Sequence, residues 1–274
     1  MHSKISHTLV LCASFCIATG AVAESADDVF IEEIVVTATH RETALMDTPQ
    51  AISAVSGELI EQLGYIDMKD LFKNIPGLNM TEGSSSSNNR YVVRGVSSQS
   101  GLESYQQTSA AISVYLDDIP MTSAQGPARQ FAGNLFDIDR VEVLKGPQGT
   151  LFGEGSVGGT IRFIQNDPQL NTTSFKLKAG VNSVQDSDDL GNRIDGMFNF
   201  PLGDNAAVRL TAFHDETAGY IDKLNTFEDD VNTETADGGR LAVLWAPNDR
   251  LTLDATIYYS KMETEGAVLA QLPT

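Results

Sequence analysis

The residues that most suggest chemistry lie in a glycine-rich run, GPQGTLFGEGSVGGTI, at positions 146–161. Within it, Gly153, Gly155 and Gly158 have the G-x-G-x-x-G spacing of a dinucleotide-binding loop. Such a loop binds pyrophosphate only when a helix follows it, because the helix N-terminus and bare backbone N–H groups receive the phosphates. Here residues 160–165 follow, and their apolar and polar side chains alternate as in a strand. The sequence therefore favours a structural role for the glycines over nucleotide binding.

Other reactive side chains do not combine into a catalytic or metal site. The four histidines show no ligand spacing, and both cysteines, Cys12 and Cys16, lie close to the N-terminus, so no metal site is predicted. Asp117 and Asp118 could form a general-acid pair, but a turn between two strands explains them more simply. No nucleophile, base and orienting group can be assembled around them. We therefore predict a chain that is not an enzyme and needs no cofactor.

The charge of the chain excludes one class of partner. The formal net charge is -19 and the pI is about 4.4, whereas contacts with nucleic-acid phosphates need clustered Lys and Arg. Nucleic-acid binding is therefore not predicted. The 274 residues, of which 41% are hydrophobic, are enough for one large or two modest domains with a real core.

The first 23 residues have the parts of a secretory signal peptide. Lys4 lies in a start without acidic residues, residues 8–19 are apolar, and the sequence Ala-Val-Ala at 21–23 fits a cleavage site. Cleavage there removes both cysteines and gives a mature chain that begins at Glu24. The sequence therefore predicts export from the cytosol.

Residues 24–42 are predicted to be an acidic leader with one short β-branched run, and residues 43–168 a compact region of helices and strands. Ser56 and Asp67 are predicted to cap two short helices, the second of which ends at Pro76 and Gly77. Strands are predicted at residues 91–94, 112–116, 140–144 and 159–164.

After residue 168 the sequence changes to segments in which apolar and polar residues alternate. These segments are residues 175–181, 194–202, 207–214, 240–246 and 251–259. Most are about 8 to 10 residues long, near the length of a tilted transmembrane β-strand. Tight turns at 203–205 and 247–249 alternate with long acidic loops at 182–192 and 215–238. This asymmetry is typical of an outer-membrane barrel, although a soluble antiparallel sandwich would give similar alternation.

Six motifs, in this order, resemble those of a TonB-dependent outer-membrane receptor. They are EIVVTA at 33–38, DTPQAISAVS at 47–56, DLFKNIPGL at 70–78, RG at 94–95, VYLDDIP at 114–120 and FDIDRVEVLKGPQGTLFG at 136–153. The resemblance implies an α+β plug domain with a central mixed sheet, followed by the first antiparallel strands of an incomplete transmembrane β-barrel. The implied organisation is a signal peptide at 1–23, a periplasmic leader with a TonB box at 24–42, a plug at 43–168 and about five barrel strands at 169–274.

The resemblance also implies a function. Receptors of this family take up a scarce ligand, most often an iron–siderophore complex, across the outer membrane of Gram-negative bacteria. TonB and its inner-membrane complex pull the TonB box to displace the plug, and membrane lipid surrounds the barrel. The predicted TonB-binding residues are Glu33, Ile34, Val35, Val36, Thr37 and Ala38. They form a proline-free, β-branched segment suited to adding as a strand to the edge of a partner's sheet.

Two further sets of residues follow from the resemblance. Candidates for an ion latch between plug and barrel are Arg94, Arg140, Glu142 and Lys145, and each could equally form a plain salt bridge on the sheet surface. Lys145 stands where the family usually has Arg, so a bidentate fork is replaced by a point charge. Candidates for ligand-facing plug residues are Ser84, Asn88, Gln99, Tyr105 and Gln106, which could equally lie in solvated loops.

The length of the sequence does not match a complete receptor of this class. A barrel of 22 strands needs on the order of 450 residues, at about 20 per strand with its connection, and residues 169–274 supply far fewer. We therefore expect a fragment or a truncated gene product. The alternative to a transporter is a non-transporting remnant in which only the plug folds and could bind ligand.

Overall fold

The computed structural model describes residues 35–37, 43–48, 50–81, 90–98, 111–121, 134–184, 187–222 and 229–265. The chain from Ile34 to Thr274 forms one compact unit. Within the described residues it has an N-terminal region of short helices and strands and a C-terminal antiparallel sheet. None of the helices in these ranges is long and apolar enough to span a bilayer.

In its described residues, the N-terminal region has ten short strands and three short α-helices. In chain order these are β1 (Val35–Val36), β2 (Thr43–Ala44), β3 (Ile52–Ser56), α1 (Gly57–Gln62), α2 (Met68–Lys73), β4 (Leu78–Thr81), β5 (Arg90–Val93), β6 (Val96–Ser97), β7 (Ile112–Leu116), β8 (Ile119–Pro120), β9 (Ile138–Lys145), α3 (Gly149–Phe152) and β10 (Gly159–Gln165). A 3-10 turn at Leu45–Asp47 connects β2 to β3.

The central sheet of this region is mixed, as predicted. Its strand order is β3-β9-β10-β7-β8, in which β10 runs parallel to β7 and the other neighbours are antiparallel. Strands β4, β5 and β6 form a separate antiparallel sheet, which the sequence did not predict. Buried aliphatic residues of β7, β9 and β10 pack with both helices α1 and α2 to form the main core.

The two predicted helix caps are confirmed. The Ser56 side chain accepts a hydrogen bond of 3.3 Å from the backbone N–H of Leu59, and Asp67 accepts one of 2.9 Å from the N–H of Asp70. Each cap satisfies a backbone donor that has no partner inside the helix. Helix α2 buries Phe72, whose ring meets that of Tyr91 edge-on at 5.0 Å between centroids. Burial raises the pKa of Tyr91 above its ordinary value.

The glycine run is structural, as the sequence predicted. Strand β10 follows it directly, and no helix opens after Gly158. Gly159 has a φ of 154°, and a Cβ there would lie 2.5 Å from the carbonyl oxygen of Leu144 on β9. Only a residue without a side chain allows β9 and β10 to approach this closely.

The C-terminal sheet is an antiparallel meander of five strands. These are β11 (Ser174–Ser183), β12 (Leu190–Pro201), β13 (Ala206–Thr217), β14 (Glu234–Asn248) and β15 (Leu251–Thr264), each paired with the next. Among the described residues, β11 and β15 are not paired with each other, so the sheet is open. The strands are 10 to 15 residues long, longer than predicted, and the predicted loops at 182–192 and 215–238 were too long. The first half of β14 carries Glu234, Asp237 and two glycines, which made it look like a loop.

The distribution of polar and apolar side chains on the two faces of this sheet is the reverse of that in a soluble sandwich. The face toward the N-terminal region buries polar side chains, namely Arg193, Asp195, Asn199, Arg209 and Arg240. The opposite face exposes large apolar ones, namely Phe175, Leu177, Ile194, Phe198, Phe200, Leu210, Leu241, Trp245, Leu253 and Ile257. Apolar residues outside and polar residues inside are the pattern of a membrane barrel wall. This arrangement favours the barrel over the sandwich that the sequence had left open.

Candidate functional site

The described part of the predicted TonB box is docked on the N-terminal region. Val35 and Val36 form β1, which pairs antiparallel with Ala44 and Thr43 of β2. Val36 is fully buried, whereas Val35 is 44% exposed. Glu33, Ile34 and Ala38 lie outside the described residues. The short strand is therefore already paired on one side, with one side chain inserted into the protein.

Thr37, the next residue, is held by three charged side chains, Arg140, Glu142 and Arg162, which we call the Glu142 cluster. The Thr37 N–H donates to Glu142 Oε1 at 2.8 Å. Arg140 Nη2 and Arg162 Nη1 each donate to the Thr37 hydroxyl oxygen at 3.0 Å. The backbone N–H and the hydroxyl of Thr37 are thus both hydrogen-bonded.

The central sheet positions this cluster. Arg140 and Glu142 lie two residues apart on β9 and therefore share one face, and Arg162 on β10 is directly opposite Glu142 in the register. Arg140 Nε and Arg162 Nη1 reach the Glu142 carboxylate at 2.8 and 2.9 Å. Glu142 is fully buried and Arg162 nearly so. A buried carboxylate is tolerated here because two guanidinium groups and a backbone N–H satisfy its oxygens.

The four latch candidates fall into two groups in the structure. Arg140 and Glu142 bind each other and Thr37, while Lys145 donates to Ser53 Oγ at 2.7 Å. Burial, and then the charge of Arg94, lower the pKa of Lys145 below its ordinary value. The contacts described for these residues join parts of the N-terminal region to one another, and an ion latch from them to the barrel strands stays a prediction.

Contacts between the two regions come from residues that the sequence analysis missed. Arg209 on β13 binds Asp137 through two nitrogens, one of them at 2.8 Å, and both side chains are buried. Arg240 Nη1 on β14 donates to the backbone oxygen of Asn166 at 2.7 Å. These residues could have been found from the sequence, because each Arg stands at an inward-facing position of a segment in which apolar and polar residues otherwise alternate.

Two more strands of the C-terminal sheet make such contacts. Arg193 on β12 donates to the backbone oxygen of Ile66 at 3.2 Å and also binds Asn134. The Tyr258 hydroxyl on β15 donates to Asp117 Oδ2. Between the regions lies a cavity of about 320 Å³, whose lining includes Leu116, Met121, Phe213, Arg240 and Tyr258.

The predicted ligand-facing residues Ser84, Asn88, Gln99, Tyr105 and Gln106 all lie outside the described residues. The site that the structure brings together is therefore the docked segment on the Glu142 cluster. A polar interface joins the same region to the C-terminal sheet. Among the residues that the structure describes, the site is built of hydrogen bonds and ion pairs, which suit the binding of a chain segment.

A family model described as the TonB-dependent Receptor Plug Domain matches residues 44–160. This stretch contains β3 to β9, all three helices, and Arg140 and Glu142 of the cluster. The chain therefore carries the plug domain of a TonB-dependent receptor, followed by antiparallel strands. The family predicted from the order of the motifs is confirmed, and so is the predicted fold class.

Curated relatives agree with this assignment. The chain is 29% identical over 166 residues to the probable TonB-dependent receptor BfrD of Bordetella pertussis, covering 61% of this chain and 19% of that protein. It is 30% identical over 207 residues to the ferripyoverdine receptor of Pseudomonas aeruginosa, covering 74% and 22%. The chain thus spans about a fifth of the length of the curated relatives that it matches.

Solved receptors share the fold. The ferric yersiniabactin uptake receptor FyuA of Yersinia pestis aligns with a TM-score of 0.64 at 24% identity, covering 78% of this chain and 32% of that one. The P. aeruginosa receptor FpvA, solved in complex with a heterologous pyoverdine and iron, aligns with a TM-score of 0.65 at 22% identity, covering 82% and 26%.

Proposed function

We propose that the chain belongs to an outer-membrane receptor that takes up a scarce small ligand, an iron–siderophore complex, with energy delivered through TonB. The observation that carries this proposal is the docked segment at residues 35–37, held on a plug that lies against a polar-inside, apolar-outside sheet. We assign it no catalytic activity and no cofactor.

The inverted sheet supports a place in the outer membrane. Exposed Phe198, Phe200 and Trp245 would be costly in water and suit contact with lipid. The buried Arg and Asp residues of the opposite face find partners on the plug, and Arg193 also pairs with Asp195 and Asp215 of the sheet itself. Export would use the predicted signal peptide at residues 1–23, and the proposed parts remain a leader at 24–42, a plug at 43–168 and barrel strands from 169.

Strand addition is the proposed mode of TonB binding. The segment Glu33–Ala38 would pair with the edge of a TonB sheet through its backbone. In the docked state β2 already occupies one edge of β1, and Thr37 N–H is bound to Glu142. TonB binding therefore requires that residues 35–37 leave the Glu142 cluster.

The names of relatives support the proposed ligand class. The chain is 29% identical over 178 residues to a probable TonB-dependent siderophore receptor, PiuA of Acinetobacter baumannii, covering 64% of this chain and 21% of that one. We propose that the plug residues facing the ligand include Ser84, Asn88, Gln99, Tyr105 and Gln106. Arg94 and Lys145 remain candidates for a latch to barrel strands beyond those described.

The experiment is a comparison of two substitutions at Val36 in a peptide of residues 24–48, titrated by calorimetry with the periplasmic C-terminal domain of TonB. Proline removes an N–H and fixes φ, and each lost backbone hydrogen bond is worth about 0.5–1.5 kcal/mol. Val36→Pro should therefore weaken binding about tenfold or more, and Val36→Ala only a few-fold.

A free peptide is used because Val36 is buried in the docked chain, so that either change would also disturb docking. Equal damage by alanine and proline would show that side chains, not backbone pairing, carry the interaction. Failure of the unchanged peptide to bind TonB would remove the basis of the proposal.

A further inference from the structure

A second chain of contacts leads from the Glu142 cluster to the barrel strands. Arg162 is the shared member, because it binds both Thr37 and Glu142 and also reaches Asp118 Oδ1 at 3.3 Å. Its Nε is buried and has no hydrogen-bond partner among the described residues. The Arg162 guanidinium has five N–H donors but hydrogen bonds to three residues, Thr37, Glu142 and Asp118. Loss of any one of them is therefore expected to change its position.

The turn at Asp117 and Asp118 connects Arg162 to the barrel side. It joins β7 to β8, and Asp117 has a φ of 51° there. Asp117 N–H donates to the Phe163 oxygen at 2.7 Å, and its Oδ1 accepts from Gln165 N–H at 2.8 Å. The turn is therefore fastened to β10 at two positions, Phe163 and Gln165, which follow Arg162 in the strand.

Tyr258 fastens the same turn to the C-terminal sheet. Its hydroxyl on β15 donates to Asp117 Oδ2, the carboxylate oxygen that β10 does not use. The contacts therefore run without a gap from β15 through Tyr258, the Asp117–Asp118 turn and Arg162 to Thr37.

This series of contacts begins at the cavity between the two regions. Tyr258, Arg240 and Gln165 all line it. Buried Arg240 Nε and Gln165 Oε1 have no hydrogen-bond partner within the described ranges, so a donor and an acceptor are free on residues beside the Tyr258 hydroxyl. A polar group that enters the cavity can compete with Asp117 for that hydroxyl.

We propose that Tyr258, the Asp117–Asp118 turn and Arg162 form a polar relay that keeps Thr37 docked, and that losing the Tyr258–Asp117 hydrogen bond loosens residues 35–37. The relay residues act through Arg162 and are positioning residues. The proposal rests on the proposed function, in that release of residues 35–37 matters because TonB would bind them.

Cysteine labelling at position 36 tests this directly. Residues 17–274 contain no cysteine, and Cys12→Ser with Cys16→Ser removes the other two. Val36 is fully buried, so after Val36→Cys a maleimide reacts only when β1 leaves its place. The labelling rate of the detergent-solubilised full chain then reports the undocked population.

Tyr258→Phe should raise this labelling rate by about threefold to thirtyfold, the range usual for coupling along a connected network. Tyr259→Phe is the matched control, because Tyr259 is the next residue on β15 and its side chain is 62% exposed. Asp118→Asn should also raise the rate, since it removes one of the two charged partners of Arg162, the exposed one, without touching the barrel strands.

Because the two changes interrupt one path, the double variant should label less than the product of the single effects predicts. Equal labelling of Tyr258→Phe and Tyr259→Phe would overturn the relay, as would an Asp118→Asn variant that labels at the unchanged rate. Immediate labelling of Val36→Cys without further change would show that β1 is not docked and would also overturn it.

The readout separates this proposal from the proposed function. Labelling needs no TonB, so a positive relay with no TonB binding would refute only the function. TonB binding with unchanged labelling would refute only the relay.

Discussion

Removal of the Thr37 hydroxyl should strengthen TonB binding to the chain, because it weakens the competing docked state. Thr37→Val keeps the shape of the side chain and the N–H bond to Glu142, but it takes the shared acceptor away from Arg140 and Arg162. Both guanidinium groups reach that oxygen at 3.0 Å. The change therefore acts on docking and leaves the backbone available for pairing.

The size of the effect follows from these contacts. Hydrogen bonds to charged groups contribute about 1.5–3 kcal/mol, and because both donors share one oxygen we take that range for the pair. The docked state should then be weakened by about tenfold to 150-fold. As long as docking dominates, the apparent affinity of the chain for TonB should rise by up to the same factor.

Calorimetry of the solubilised full chain with the TonB periplasmic domain measures this, and a peptide of residues 24–48 gives the reference. In the peptide, Thr37→Val should change the affinity less than about threefold, since both residues favour strands. Thr81→Val, an exchange of the same kind at an exposed position on β4, should leave the affinity of the chain unchanged. An unchanged or weaker affinity of the Thr37→Val chain, with the peptide unaffected, would refute the competition between docking and TonB.

Three further outcomes are expected. Arg209→Met leaves Asp137 buried without this Arg and should lower the unfolding free energy of the solubilised chain by about 3–5 kcal/mol. The control, exposed Arg250→Met, should lower it by less than about 0.5 kcal/mol. Equal urea midpoints for the two variants would contradict a stabilising buried pair. Trp245, the sole tryptophan, faces outward and should be quenched by brominated lipids in reconstituted vesicles, and quenching by aqueous acrylamide alone would place that face in water. The exported chain should begin at Glu24 and contain no alkylatable thiol, which mass spectrometry checks; a labelled mature chain would contradict cleavage at the predicted site.

The parts of the fold that were predicted from sequence depend on local signals. Ser56 and Asp67 were predicted as caps because a short polar side chain before a helix bonds to a backbone N–H three residues later, within one turn. Strand β7 was predicted at residues 112–116, the bounds that it has, because a β-branched run there ends at an Asp-Asp turn. Such signals can be interpreted without knowing which distant residues pack against the segment.

The site depends on contacts that no local pattern shows. Thr37 and Glu142 are 105 residues apart in the chain, and Arg209 and Asp137 are 72 apart. The family motifs marked residues 33–38 and 136–153 as important but did not indicate that one stretch lies on the other. The inward Arg residues of β12 to β14 also made those segments look less like strands, because their charge interrupts an apolar pattern that only the lipid-facing side needs.

The position of β3 at the edge of the central sheet has a mechanical consequence. A pull on the chain ahead of Val35 first breaks the two β1–β2 residue pairs and the contacts of Thr37. It then reaches β3, which has five pairs with β9 and no other strand neighbour among the described residues. Residues 35–56 span about 70 Å when fully extended. The plug can therefore unfold from the β3 edge of its central sheet while β9, β10 and β7 stay paired. This opens a gap beside β9 and leaves most of the core intact.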